Sequence, residues 1–404
     1  MSRPGLSEAG CARLHERLAA HVDDGVVPGL VALVARGDDV HVEVLGTPAL
    51  DAPAPLRRDA IFRIASLSKP VAAAGAMALV DDGTIALDDR VETYLPELAH
   101  RRVLRSLGAP LTDTVPAERS ITVEDLLTFR LGFGAIMAPP GTYPIQDAEA
   151  ALGLMTLGPP WPPPRWDTDE WIARFATLPL LHQPGDGWLY NTGAHVLGPL
   201  LERATGTSLE SFLRARLFGP LGMTDTSFSV PADKVDRFTT AYAPGPEGGE
   251  LGVLDPPLGG WWNAPPAMAN AAGMLVSTLD DFWAFVSMLR AGGVHEGEQI
   301  LSRASVTAMT TDHLTDDQRG SAPIFLGRTG GWGYCMAAPG PLPPGEEPPA
   351  PWGYGWDGGT GTTWRTDPVR GLTGILFTQR AMTSPEPPAL FTDFWDAAYG
   401  AMSA

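Results

Sequence analysis

The N-terminal part of the chain shows two apolar patterns in succession. Leu14, Leu18 and Val22 recur every four residues among polar neighbours, which is the spacing of one face of a helix. The next stretch, GLVALVARGDDVHVEVLG, contains two mostly apolar runs joined at Gly37 and Asp38, a composition typical of a β-hairpin. The pattern therefore predicts a helix followed by two antiparallel strands.

The stretch SLSKPVAAAGAMALVDDG predicts a buried helix. Proline lacks an N–H and is tolerated in the first helical turn, so Pro70 places the start of the helix at about Ser66. The residues from Ala72 to Val80 are apolar on every face, which indicates burial, and Gly83 suits the C-terminal end. We expect this helix to lie in the core.

The rest of the chain divides into a helical middle and a strand-rich end. Residues 191–290 show helical patterns, strand-like runs return after residue 330, and PALFTDFWDAAYGAM suggests a closing helix. Residues 135–168 are rich in proline, glycine and aromatic residues and predict a long ordered loop. We predict an α/β fold of the α+β kind. A mixed, mostly antiparallel sheet from residues 1–82 and 296–404 is flanked by helices, residues 83–295 form an inserted, mainly helical domain, and the active site lies between the two.

Composition and charge exclude several classes of function. The 404 residues are 44% hydrophobic and carry a net charge of −19, which favours an ordinary globular protein and argues against nucleic acid or an anionic membrane as a partner. No segment approaches 18 uncharged apolar residues, and the N-terminus has no apolar signal core. Cys11, Cys335 and the eight histidines show no metal-binding spacing. We expect a cytoplasmic protein without a metal or another cofactor.

Lysine is rare in this chain, which makes its position informative. Only Lys69 and Lys234 occur among 28 basic residues, and Lys69 follows Ser66 by three positions. Residues three apart share a helix face, and a buried lysine loses hydration until its amine can accept a proton, which a guanidinium cannot do. The spacing therefore indicates a serine nucleophile with a lysine base. On these residues alone, a capping Ser66 and a lysine that reaches solvent stay open as the alternative.

Several blocks of sequence, in this order, resemble one known family. They are FRIASLSKPVAAAGAM, PGDGWLYNTGAHVLGPLLERATG, AAGMLVSTLDDF and YGWDGGTGTTWRTDPVRGLTGILFTQ. Together they resemble the serine β-lactamase-like hydrolases, which include class C β-lactamases, D-alanyl-D-alanine carboxypeptidases and family VIII carboxylesterases. The resemblance extends from about residue 25 to 380 and implies the fold described above.

The resemblance assigns roles residue by residue. Its S-x-x-K element falls on Ser66 and Lys69, its tyrosine element on Tyr190-Asn191-Thr192, and its third element on Trp356-Asp357-Gly358. It implies an oxyanion hole of two main-chain N–H groups, those of Ser66 and Gly359. By this analogy Ser66 attacks an acyl carbon, while Tyr190, its phenol acidified by Lys69, takes the serine proton and passes it to the leaving group.

Two departures from the family pattern bear on the substrate. Trp356 replaces the cation that grips a carboxylate in β-lactamases, and the tyrosine element ends in Thr192, with its asparagine one place early at Asn191. Both changes favour an apolar ester over a β-lactam, and Trp356 resembles the family VIII esterases in this position. Arg365 could restore a cation. The pocket could also involve four further tryptophans, although burial as core anchors is an equal interpretation: Trp161, Trp166, Trp261 and Trp262.

The sequence thus predicts a serine carboxylesterase that cleaves small-molecule esters of short or medium acyl chain through an acyl-enzyme on Ser66. We expect five residues to bind the substrate: Asn191, Thr192, Trp356, Asp357 and Gly358. An acyltransferase or amide hydrolase of the same family is the alternative, followed by residual β-lactamase or D-peptidase activity. A non-catalytic binding protein is disfavoured because Ser66, Lys69 and Tyr190 are all present.

Overall fold

The computed structural model describes residues 5–154, 165–245 and 249–403. Its α-helices are α1 (Glu8–Asp23), α2 (Ser68–Asp81), α3 (Val123–Leu127), α4 (Pro144–Leu152), α5 (Thr168–Ala176), α6 (Thr192–Thr205), α7 (Leu209–Leu213), α8 (Leu279–Arg290), α9 (Arg303–Met309), α10 (Asp316–Gly320), α11 (Pro323–Leu326) and α12 (Ala389–Gly400). No helix in these ranges is long and apolar enough to cross a bilayer.

Fifteen strands lie in the described ranges, and seven of them form one sheet. They are β1 (Gly29–Arg36), β2 (Asp39–Gly46), β3 (Phe62–Arg63), β4 (Arg102–Leu104), β5 (Thr114–Pro116), β6 (Ala241–Pro244), β7 (Leu251–Asp255), β8 (Val276–Ser277), β9 (Val294–His295), β10 (Glu298–Gln299), β11 (Gly330–Trp332), β12 (Ala337–Pro339), β13 (Tyr354–Gly358), β14 (Thr362–Asp367) and β15 (Leu372–Thr378). The large sheet has the order β11-β12-β13-β14-β15-β1-β2, and every neighbouring pair is antiparallel.

The large sheet joins the two ends of the chain, as predicted. Strand β1 pairs with β15 in a register that places Leu30 opposite Thr378 and Arg36 opposite Leu372. Alternate residues of a strand point to opposite faces, and β1 buries both of its faces. Leu30 and Val34 pack under the terminal helices α1 and α12, whereas Val31 faces the larger core. The predicted mixed fold with a mostly antiparallel sheet is confirmed, while the predicted domain boundaries stay a prediction.

Helix α2 lies in the larger core, on the face of the sheet opposite α1 and α12. Its residues from Ser68 to Leu79 are all buried, as their uniform apolar character predicts. The prediction of its start at Ser66 was early by two residues, since a short 3₁₀ turn (Ala65–Leu67) precedes the α-helix. Ala65 has φ +43°, which an L-residue adopts at a cost because its Cβ approaches the next carbonyl. This turn contains Ser66 and sets the direction of its backbone just before the α-helix begins.

One other local prediction differs in detail from the structure. The segment 135–168 was predicted as loop throughout, but Pro144–Leu152 is helical, with proline in its first turn and Gly153 in the left-handed conformation at its end. Thr278 caps α8 by accepting a hydrogen bond from the N–H of Asp281, and the acidic residues Asp280 and Asp281 lie in its first turn.

Candidate active site

Ser66 and Lys69 meet at the start of the buried helix. Lys69 Nζ lies 2.8 Å from Ser66 Oγ, so the spacing of three residues brings both side chains to one face as predicted. Ser66 remains partly accessible, whereas Lys69 is 0% exposed. The serine hydroxyl can therefore reach a ligand while the amine stays out of water.

The environment of Lys69 favours its neutral form. Burial lowers the pKa of Lys69 to about 7, because an ammonium loses its hydration inside the protein. Its Nζ also donates to the carbonyl oxygen of Ala272 at 2.5 Å. One N–H of a neutral amine is thereby occupied, and the lone pair is free to accept the proton of Ser66.

Tyr190 approaches the same serine from the segment before α6. Its hydroxyl lies 2.9 Å from Ser66 Oγ, and Lys69 Nζ lies 4.8 Å from the centre of its ring. The structure thus brings together Ser66, Lys69 and Tyr190, which are distant from one another in sequence. A proton can move among three groups at these separations.

The predicted acidity of the Tyr190 phenol is wrong. Burial raises the pKa of Tyr190 above its ordinary value, and its hydrogen bonds with Ser66 and Trp356 oppose this shift without cancelling it. Lys69 stabilises a phenolate only in its protonated form, and burial, which lowers its pKa to about 7, disfavours that form. Tyr190 therefore rests as a protonated phenol, and Lys69 is the better proton acceptor.

The hydrogen bonds around Ser66 have a fixed direction. The indole Nε1–H of Trp356 lies 2.8 Å from the hydroxyl oxygen of Tyr190, and an indole can only donate. The Tyr190 proton is consequently directed towards Ser66 Oγ. When the Lys69 amine is neutral, the Ser66 proton can point towards Lys69 Nζ. At the far end the Ala272 carbonyl can only accept. We call this sequence of groups, from Trp356 through Tyr190, Ser66 and Lys69 to Ala272, the hydrogen-bond chain.

The third predicted element ends strand β13 beside the Ser66 turn. A Cβ on Gly358 would lie 2.5 Å from the carbonyl oxygen of Ile64, so only glycine permits this approach. Thr362 Oγ1 donates to the same carbonyl at 3.2 Å, and the Gly359 carbonyl accepts from the N–H of Met382 at 2.9 Å. These contacts hold the end of β13 against Ile64, two residues before Ser66, and Gly359 follows directly. The oxyanion hole formed by Ser66 and Gly359 stays a prediction.

Arg365 does not supply a free cation. Its guanidinium binds both carboxylate oxygens of Asp357, at 3.1 and 3.2 Å, and Thr363 Oγ1 donates to the same carboxylate at 2.6 Å. The Arg365 guanidinium also lies 5.8 Å from the ring of Trp356. At this distance the two opposite charges largely cancel in their effect on a third group. The Asp357 carboxylate, which was predicted to bind substrate, is therefore engaged in an ion pair with Arg365.

Asn191 and Thr192 do not fit the predicted contact with substrate. Asn191 is 1% exposed and Thr192 is 0% exposed. The Asn191 amide lies 3.1 Å from His195 Nε2, and burial, with Lys69 nearby, lowers the pKa of His195 to about 3. Asn191 therefore contacts a neutral core histidine behind the site.

Asn191 instead shapes the backbone beside Tyr190. Its φ of +86° and ψ of −52°, together with the hydrogen bond from Thr192 N–H to the Tyr190 carbonyl at 3.2 Å, form a γ-turn of the rare, strained type. Such strain is found where a structure holds a functional group in place. The turn determines where the Tyr190 side chain points.

This turn leads to a comparison of two variants. Asn191→Ala should lower kcat/KM for ester hydrolysis about tenfold, whereas Asn191→Gly should stay within about threefold of the parent, because only glycine adopts this φ without strain. Both variants remove the amide to His195, so their difference isolates the backbone. Steady-state kinetics on one chromogenic ester measure it, and equal activities would refute the role of the turn.

An aromatic cluster around Tyr190 was not predicted from the sequence. Phe325 stacks on the Tyr190 ring with centroids 4.7 Å apart, and further contacts come from Phe129, Trp188, Trp332 and Trp356. The WLY and WGY triplets of the sequence are aromatic, but nothing in their spacing indicates a shared cluster. The rings hold Tyr190 and exclude water from it.

The four tryptophans proposed as pocket residues have different positions. Trp262 is 1% exposed and donates to the Met274 carbonyl, so it is a core anchor. Trp166 donates to the Leu152 carbonyl and lies under the guanidinium of Arg174. Trp261 is 37% exposed, and Trp161 lies outside the described residues. Within the described ranges, no group of three or more His, Cys, Asp or Glu side chains could hold a metal ion.

Known proteins resemble this chain over almost its full length. It is 38% identical over 368 residues to Protein Rv1367c of Mycobacterium tuberculosis, covering 88% of this chain and 87% of that protein. It is 29% identical over 405 residues to Esterase EstB of Burkholderia gladioli, covering 95% of each. A solved structure described as EstCE1, a hydrolase with promiscuous acyltransferase activity, is similar with a TM-score of 0.78 at 23% identity, over 97% of this chain and 99% of that one.

The family comparison agrees with the geometry of the site. The Beta-lactamase family profile matches residues 14–397, a range that includes Ser66, Lys69, Tyr190 and Gly359. The chain belongs to the β-lactamase family.

Proposed function

We propose that this protein is a serine carboxylesterase, which cleaves esters of short to medium acyl chain through an acyl-enzyme on Ser66. The observation that carries the proposal is the hydrogen-bond chain, in which the Ser66 hydroxyl lies between the Lys69 amine at 2.8 Å and the Tyr190 hydroxyl at 2.9 Å. A nucleophile beside a base that is neutral near pH 7 is the arrangement that acyl transfer requires.

Acylation begins with the transfer of the Ser66 proton to Lys69 Nζ. Ser66 Oγ forms a bond to the ester carbonyl carbon, and the carbonyl oxygen becomes an oxyanion next to the main-chain N–H groups of Ser66 and Gly359. Loss of one such donor typically costs about 3–4 kcal/mol of transition-state stabilisation. The assignment of Gly359 is supported by the close approach of the preceding residue, Gly358, to the Ile64 carbonyl just before the Ser66 turn.

Departure of the alcohol requires a proton on its oxygen. Tyr190 is protonated because burial raises its pKa, and its hydroxyl faces Ser66 Oγ, where the leaving oxygen is expelled. Tyr190 donates its proton to the alcohol and recovers one from the protonated Lys69, so the net result is the transfer of one proton from Ser66 to the product. Water then attacks the acyl-enzyme, and its proton follows the reverse path to restore the Ser66 hydroxyl.

The charges at the site favour a neutral ester. An indole occupies the position where β-lactamases have a cation, and the nearby Arg365 is paired with Asp357. Trp356 and Phe325 flank Tyr190 with apolar side chains, which suit an alkyl or aromatic group. The likeness to EstB and to Lovastatin esterase of Penicillium rubens, 28% identical over 389 residues, supports the same substrate class.

Acyl transfer to an alcohol other than water is the second candidate. It uses the same acyl-enzyme, and this chain resembles Acyltransferase calJ of Penicillium decumbens at 24% identity over 388 residues. Hydrolysis and acyl transfer are distinguished by whether water or an added alcohol takes the acyl group from the acyl-enzyme. Added short-chain alcohol that yields mainly a new ester at low concentration would favour the transferase.

The proposal is tested with a panel of chromogenic esters of rising acyl length, beside a chromogenic cephalosporin. We expect ester hydrolysis to exceed cephalosporin hydrolysis by at least about a hundredfold in kcat/KM, since no free cation grips the carboxylate. An organophosphonate should label Ser66, as peptide mass spectrometry would reveal. Comparable turnover of the cephalosporin would overturn the substrate class, and no turnover with no labelling would overturn the enzyme.

The pH dependence follows from the lowered pKa of Lys69. Only the neutral amine accepts the Ser66 proton, so kcat/KM should rise with pH through about 7 and reach a plateau above it. At pH 5.5 the neutral fraction, and with it kcat/KM, falls about thirtyfold. Initial rates with one ester across pH 5–9 measure this limb, and a flat profile would exclude Lys69 as the base.

Removal of the indole donor tests the direction of the hydrogen-bond chain. Trp356→Phe should lower kcat about ten- to a hundredfold with little change in KM, because the Tyr190 proton is no longer directed towards Ser66. Trp332→Phe is the matched control, since its ring packs on Trp356 at 4.7 Å but its Nε1 has no hydrogen-bond partner among the described residues. Similar losses in both variants would mean that packing matters and direction does not.

A further inference from the structure

A groove away from the candidate active site is lined by arginines. It has a volume of about 500 Å³ and lies between residues 90 and 121. Its basic side chains are Arg90, Arg101, Arg102, Arg119 and His100. In a chain of net charge −19, such a concentration of cations is unusual and raises the question of what neutralises it.

Arg101 is buried without an acidic partner. It is 7% exposed, and its guanidinium donates to the carbonyl oxygens of Ala176 and Leu178. Its Nε is buried and donates to no described atom. Burial lowers the pKa of Arg101 to about 10, and no carboxylate opposes that shift, yet the group stays charged at neutral pH. By contrast, buried Arg63 has the Asp255 carboxylate as its partner.

Two exposed arginines add to this uncompensated charge. Within the described part of the chain, the Arg102 guanidinium donates only to the hydroxyl and the carbonyl of Thr114. Arg90 forms no ion pair there. Arg119 does not add charge, because Asp125 binds it through both carboxylate oxygens. The groove is lined by one carboxylate, that of Glu92, which accepts a hydrogen bond from Ser120. Three cations therefore face one anion.

We propose that this groove binds a small oxyanion, a phosphate or carboxylate group carried on a small molecule. The exposed guanidiniums of Arg90 and Arg102 form the cationic wall, and the buried charge of Arg101 lies beside them. Arginine presents paired N–H groups in the geometry that these anions accept. A bound anion would give the buried charge of Arg101 the counter-charge that the protein does not supply. The volume admits a molecule larger than a bare ion.

The test measures binding of inorganic phosphate by isothermal titration calorimetry, with sodium chloride holding the ionic strength constant. We expect saturable binding to the parent protein and at least tenfold weaker binding to the Arg90→Ala/Arg102→Ala variant. Arg105→Ala is the matched control, because Arg105 is exposed and paired with Asp113 outside the groove, and it should bind like the parent. Glycerol 2-phosphate and succinate, titrated separately, distinguish a phosphate ester from a dicarboxylate.

A variant that is expected to bind phosphate more tightly distinguishes the proposed site from a general loss of structure. Glu92→Gln removes the negative charge from the groove and should tighten phosphate binding about threefold or more, which a destabilised fold would not do. If the double variant proves unstable, Arg90→Ala alone should weaken binding at least threefold, since that side chain is exposed and unpaired. Non-saturable binding, or equal affinities in the parent and the Arg90 variants, would refute the site.

Discussion

Ester hydrolysis by the Ser66→Ala variant is expected to fall by about 10⁴- to 10⁶-fold in kcat. The loss is this large because no other described hydroxyl occupies the position between the Lys69 amine and the Tyr190 hydroxyl. Any residual rate comes from the oxyanion hole and from binding alone. Stopped assays at high enzyme concentration measure the residual rate, and organophosphonate labelling should disappear with it.

Ser68 provides the matched control for this experiment. It lies two residues away in the same segment, but its hydroxyl is buried, donates to the Ala65 carbonyl at 2.7 Å and accepts from the Leu275 N–H at 3.0 Å. Ser68→Ala should cost about 1–3 kcal/mol of stability and still form the acyl-enzyme. If Ser68→Ala loses labelling while Ser66→Ala keeps it, the nucleophile has been misassigned.

Lys69→Arg is expected to lower kcat/KM by about 10²- to 10⁴-fold, although the side chain stays basic. A guanidinium keeps its proton at every pH at which the enzyme is stable, so it cannot accept one from Ser66. It is also larger than the amine that it replaces, in a position that is 0% exposed. Steady-state kinetics above pH 8 give the clearest comparison, because Lys69 is then neutral in the parent.

The chain contains its own control for a change of lysine to arginine. Lys234 Nζ donates to the Thr224 carbonyl at 2.7 Å and forms an ion pair with Asp225, a role that arginine can fill. Lys234→Arg should therefore keep parental activity. Lys69→Met separates chemistry from folding, since it should be inactive with an unfolding temperature near or above that of the parent, because a buried amine is replaced by an apolar side chain. Substantial activity in Lys69→Arg would refute the neutral-amine mechanism.

Much of this site could be predicted because local rules place its first half. Pro70 and the apolar run after it predict a buried helix, and the spacing of three residues then puts Ser66 and Lys69 together. Tyr190 and Gly359 could be assigned only through the resemblance to a family, since each is more than a hundred residues from Ser66. The sheet of both chain ends followed from strand patterns at each end.

What the sequence did not reveal depends on distant contacts. The raised pKa of Tyr190 arises from burial among Phe325, Trp332 and other rings, which no local pattern brings together. The hydrogen bond from Lys69 to Ala272 involves a main-chain carbonyl, so it leaves no trace in residue type. The strained turn at Asn191 was likewise hidden, because asparagine is also common in unstrained loops.

The pairing of β1 with β15 has a consequence for the order in which the protein is made. Leu30 cannot pair with Thr378 until that residue has been translated, about 350 residues later. Contacts between residues so distant in sequence slow folding. Gly359 must also be translated before the proposed oxyanion hole at Ser66 can form. A nascent chain that lacks β13 to β15 would contain Ser66 and Lys69 yet remain inactive, so hydrolytic activity should appear only after these strands have been made.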